Sequence, residues 1–196
     1  MAEIIKDGRT GSTAKVDANN RLHTQARTLD IALAETLEGH SYDVSTAGGI
    51  SLTDDSLSAL IYIKNTGDED LIVETIFVDS VSSTGGVGSG FMNWVLNPTG
   101  GTLVDAATDC KVINRRIGNP VNLSATTFKA SANGQTLTGG DIIQFPSPAG
   151  AGIPFGKPFV IPKGQAFGVN FQPPAGNTSM LMQIGMLIVV DTTTHQ

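Results

Sequence analysis

At 196 residues, with 40% hydrophobic and only 15% charged side chains, the chain suits one packed β-sandwich or barrel with an appendage and would be cramped as two full domains. Its net charge of −6 is unevenly placed: residues 1 to 27 hold five cations against three anions, a net of +2, which leaves −8 on the remainder. An acidic body repels nucleic acid and anionic lipid, so no direct nucleic-acid or membrane partner is expected.

The first residues, Met1-Ala2-Glu3-Ile4-Ile5-Lys6-Asp7, lack the long apolar core of a signal peptide, and the expectation is a chain made in the cytoplasm without a targeting segment. Within residues 1–27 the pairs Asp7-Gly8 and Asn19-Asn20 are turn formers, and the apolar residues between them are too sparse to enclose a core. This segment is read as an extended docking arm that needs a partner surface to become ordered. From Thr28 the pattern changes. Leu29, Ile31, Leu33, Ala34 and Leu37, with Glu35 and Glu38, make a short helical stretch ending at Gly39, with Thr28 as its cap, so residues 28–40 form a connector.

Residues 41–196 read as an antiparallel β-sandwich of the all-β class. Strands are expected near Ser41 to Thr46, Leu57 to Asn65, Leu71 to Val81, Phe91 to Leu96, Lys111 to Arg116, Thr126 to Ala130, Phe159 to Ile161, Ala166 to Gln172 and Met180 to Asp191. Between them lie turn signals such as Asn65-Thr66-Gly67-Asp68, Asn133-Gly134 and Pro173-Pro174-Ala175-Gly176-Asn177. Gly164 predicts a tight turn into Ala166, and Ser82 to Gly90 reads as a low-complexity loop. The last strand is richly apolar, which places it in a sheet centre or at a subunit contact.

Candidate chemical sites are few. Gly86-Val87-Gly88-Ser89-Gly90 resembles a phosphate cradle in glycine count alone, because a strand with Trp94 follows rather than a helix. Asp54-Asp55 and Asp68-Glu69-Asp70 lack the spacing of a calcium loop and read as solvated turns. His23, His40 and His195 have no His or Cys neighbour at ligand spacing. The single cysteine, Cys110, sits in a strand-like run and reads as a buried small hydrophobe, and it rules out an intramolecular disulfide. Arg115-Arg116 reads as an edge-strand or interface charge. No catalytic residue, metal or cofactor is expected.

The arm carries one specific string: Asp7-Gly8-Arg9-Thr10-Gly11-Ser12-Thr13-Ala14-Lys15-Val16-Asp17-Ala18-Asn19-Asn20-Arg21-Leu22. It resembles the N-terminal tag, of the pattern DG-x-TG-x-x-AKVD-x-x-NRL, found on structural proteins of tailed-bacteriophage virions. The body, with Leu60-Ile61-Tyr62-Ile63-Lys64-Asn65 and Asp70-Leu71-Ile72-Val73, is similar in pattern to the jelly-roll modules attached to such tags.

This resemblance implies a non-enzymatic virion component, a capsid decoration or cement protein, that docks on the major capsid protein or other virion subunits and forms a homo-oligomer, with a trimer favoured. The partner-binding residues it implies are Asp7, Gly8, Lys15, Val16, Asp17, Asn20, Arg21 and Leu22. Val16 and Leu22 would anchor, Lys15 and Arg21 would supply charge, and Gly8 with Gly11 would set the turn. A second reading is a tail, baseplate or head–tail accessory protein with a carbohydrate- or receptor-facing sandwich, for which Trp94 or Tyr62 would be the stacking platform. A third is a cupin-like enzyme, which would require a bound metal.

Overall fold

The computed structural model describes residues 5–6, 13–16, 22–23, 31–53, 56–85, 90–105, 108–147 and 158–192. The chain divides into two compact units, Met1–Asp30 and Ile31–Gln196.

In the first unit, β1 (Ile5–Lys6), β2 (Thr13–Val16) and β3 (Leu22–His23) form an antiparallel sheet in the order β1-β2-β3. Ile5 pairs with Ala14, and Val16 with Leu22. The segment expected as an extended arm therefore carries short strands that pair with one another.

The second unit opens with α1 (Ile31–Glu38). Gly39, at φ +89°, ends it: Gly39 N donates to Thr36 O at 3.1 Å and His40 N to Glu35 O at 2.7 Å. That double bond pattern around a left-handed residue is the Schellman motif, which satisfies carbonyls the helix would otherwise leave open. The expected stop at Gly39 is present, while the expected cap at Thr28 lies outside the described residues.

The strands that follow are β4 (Ser41–Ser45), β5 (Ile50–Leu52), β6 (Ser58–Asn65), β7 (Asp70–Gly85), β8 (Gly90–Leu96), β9 (Lys111–Asn114), β10 (Ala125–Lys129), β11 (Asp141–Ser147), β12 (Phe159–Ile161), β13 (Ala166–Gln172) and β14 (Asn177–Asp191). They make two sheets, β12-β7-β14-β4-β9 with β5 also on β14, and β10-β6-β13-β8-β11. Every described pairing is antiparallel.

The order of pairing identifies the architecture. β8 pairs with β11, β7 with β12, β6 with β13 and β4 with β14, as though one long hairpin had been rolled up, with alternate pairs falling in opposite sheets. This is the jelly roll. The segment between β8 and β11 adds β9 and β10, which extend the two sheets at β4 and β6.

The hydrophobic alternation explains the layers. β14 lies between β7 and β4 in its sheet centre, as its apolar composition requires, and buries Met180, Met182, Ile184, Met186 and Ile188 at every second position. Ile61, Ile63, Met92, Val169 and Phe171 are buried from the second sheet. An aromatic cluster joins the sheets: the Trp94 ring lies 4.8 Å from Phe145, 5.5 Å from Phe159 and 5.8 Å from Phe167. The β8–β11 segment also buries Leu103 and Leu137, and Leu137 packs onto Gly168 of β13.

Nine strands were expected in the body, and each has a counterpart. Two were not anticipated, β5 and β11. The loop expected at Ser82 to Gly90 is shortened, because β7 continues to Gly85 against the start of β14, with Gly85 opposite Asn177. The tight turn at Gly164 is present: φ is +78°, and Gln165 N donates to Pro162 O at 3.0 Å.

Candidate functional site

Of the residues proposed for partner binding, Lys15 and Val16 lie in β2 and Leu22 in β3. The register sets Val16 opposite Leu22 and Lys15 opposite His23. Val16 and Leu22 are thus backbone partners across two strands, six residues apart in sequence. Asp7, Gly8, Asp17, Asn20 and Arg21 lie outside the described residues.

On the body, the aromatic residues considered as stacking platforms are inside the protein. Trp94 is 8% exposed and Tyr62 4% exposed. Tyr62 stacks on Phe128 with ring centroids 6.2 Å apart. Burial raises the Tyr62 hydroxyl pKa above its ordinary value, and it raises that of Tyr42 while a hydrogen bond with Asn114 opposes it.

Cys110 is buried as its context predicts, and burial pushes its thiol up to about 12 against weaker opposing effects from Thr127 and Lys129. A thiol held neutral in this way is a poor nucleophile. Asp68, in one acidic turn, pairs with Lys163 at 2.5 Å, while Asn65 Nδ2 donates to Glu69 O at 2.8 Å. Asp54 and Asp55 lie outside the described residues.

Among the described residues one group of metal-ligand side chains converges: Glu35, Glu38 and His40. His40 Nδ1 lies 2.9 Å from Glu35 Oε2 and 3.9 Å from Glu38 Oε2. Spacing to another His or Cys does not reveal this group, because the partners of His40 are carboxylates on α1. Both oxygens of the buried Glu35 are already engaged, one by His40 and the other by Thr192 Oγ1 at 3.3 Å. The arrangement is a clamp tying α1 to the chain just after β14.

At the β9 edge and the turn beyond it, the sequence singled out Arg115-Arg116 and not the apolar residues exposed beside them. β9 is the last strand of its sheet, and Val112, Ile113, Ile117 and Val121 are exposed there, Ile117 to 98%. Arg115 lies 3.6 Å from Asp43 on β4, consistent with the expected edge charge. Compared with family models, curated proteins and solved structures, the chain has no match in any of the three.

Proposed function

We infer that this protein is a structural subunit of a bacteriophage virion, a decoration or cement protein that docks on the capsid lattice through its N-terminal segment. The observation that carries this reading is the separation of Met1–Asp30 as a unit of its own, joined to a jelly-roll body and bearing the tag-like string from Asp7 to Leu22. A short segment with few apolar residues has little core of its own, so a partner surface adds much to its stability. The mildly basic balance of residues 1–27 suits a complementary acidic surface.

Repetition then supplies strength. Many identical lattice sites, each bound by one arm and linked through an oligomeric body, give an avidity beyond that of a single arm. Subunits that bridge neighbouring capsomers add buried contacts that oppose shell expansion under packaged DNA. The test is removal of residues 1–27 followed by co-sedimentation with capsid shells. The shortened chain stays folded and fails to pellet on this reading, and retained binding refutes the tether.

A further inference from the structure

Asn133-Gly134 is the one Asn-Gly pair in the sequence, and the fold sets its side-chain carbonyl and its following backbone nitrogen on a single hydroxyl. Ser58, the first residue of β6, is fully buried. Its Oγ donates to Asn133 Oδ1 at 3.0 Å and accepts from Gly134 N at 2.8 Å. Asn133 Nδ2 donates to Thr53 Oγ1 at 3.3 Å, so the amide is oriented with its oxygen toward Ser58. The turn around the pair is braced: Ala59 N donates to Gln135 O at 2.7 Å, and Ser131 N to Gln135 Oε1 at 2.6 Å. Gly134, at φ +77°, needs the left-handed conformation that glycine adopts without strain.

These are the reacting groups of succinimide formation, in which the nitrogen after an asparagine attacks the asparagine's own side-chain carbonyl carbon. The nitrogen must lose a proton and the carbonyl oxygen must gain one. A hydroxyl bonded to both groups can move both protons together: the Gly134 N–H proton passes to Ser58 Oγ as the Ser58 hydroxyl proton passes to Asn133 Oδ1. Ser58 ends as it began. Because the buried hydroxyl and the braced turn are already in place, little ordering is left for the reaction to supply.

We propose that Asn133-Gly134 is a self-modifying site whose proton relay is Ser58. The Gly134 N to Asn133 Cγ bond forms first, giving a tetrahedral intermediate that carries the relayed proton on Oδ1. That proton then passes to Nδ2, the carbonyl double bond re-forms and the Cγ–Nδ2 bond breaks, releasing ammonia. Water opens the resulting ring at either carbonyl and leaves aspartate or isoaspartate at position 133. The turn gains a negative charge and, in the isoaspartate form, a lengthened main chain. The relay exists only when β6 and the 131–135 turn are assembled, so modification follows folding and records the age of each copy.

The proposal does not rest on capsid docking, and its test needs no partner. Full-length chain is held at neutral pH, folded in buffer and unfolded in guanidinium chloride, and released ammonia and peptide mapping of position 133 are followed with time. The folded chain is expected to convert about tenfold or more faster than the unfolded one, and Ser58→Ala to lose that advantage with circular dichroism unchanged. A folded wild-type chain that converts no faster than the unfolded chain overturns the proposal and makes the Ser58 bonds a brake on the Gly134 nitrogen. So does a folded Ser58→Ala variant whose rate is undiminished. The first comparison uses the wild-type chain alone and decides the matter even where the variant does not fold.

Discussion

Leu137 stands directly over Gly168: a Cβ built on residue 168 would lie 2.3 Å from Leu137 Cδ1 and 3.1 Å from the Ile61 carbonyl oxygen. The glycine lets the β8–β11 segment settle against the middle strand of its sheet. Gly168→Val should displace Leu137 and lower stability by about 1–3 kcal/mol, whereas Gly185→Ala, whose nearest neighbours are 3.8 Å away, should stay within about 0.5 kcal/mol. Urea unfolding of both variants checks the contrast.

Cys110 gives the body an alkaline limit. Its thiol is held neutral to about 12 in the folded state, against 9.0 for an unburied thiol. Between those values the unfolded chain loses this proton and the folded chain keeps it, so stability is full below about pH 9 and falls as pH rises toward 12. Tyr42 and Tyr62, both raised by burial, act in the same direction. Unfolding midpoints measured upward from pH 8 should decline, and Cys110→Ala should decline less steeply. At pH 8 a thiol reagent should label the native protein only as fast as it unfolds.

Glu35 is buried and accepts hydrogen bonds from both His40 and Thr192. Glu35→Ala removes both and leaves their donors open, at a cost of about 1–3 kcal/mol. Glu35→Gln retains one carbonyl acceptor and should cost less. Thermal denaturation ranks the two.

Trp94 is the one tryptophan and lies against Phe145, Phe159 and Phe167. Native emission should be blue-shifted, move to the red on unfolding and remain unchanged on adding oligosaccharides. Glycan-dependent quenching would revive the carbohydrate-facing reading.

The fold was largely legible because strand alternation and turn chemistry agree along most of the body. β11 escaped because Gly139 and Gly140 precede it and Pro146 lies within it, which reads against a strand until its edge position is known. β5 escaped because it is three residues long and pairs with the start of β14 away from the main ladder. The same long-range pairing carries β7 as far as Gly85, into the stretch expected as a loop.

The site was less legible. The pairing of Val16 with Leu22 is a register that the sparse apolar residues of residues 1–27 do not specify. The Glu35–His40 contact is made by the helix-ending geometry at Gly39. Nothing in Arg115-Arg116-Ile117-Gly118 says which side chain points to solvent, because that is decided by Asn114 reaching back to Gly39.

The most direct measurement of the central claim is a cryo-EM reconstruction of phage particles that carry this protein. The account predicts density for the jelly-roll body on the shell surface, with the Asp7–Leu22 segment ordered against capsid subunits. Particles in which that segment packs only within its own subunit, with no contact outside it, would contradict the account.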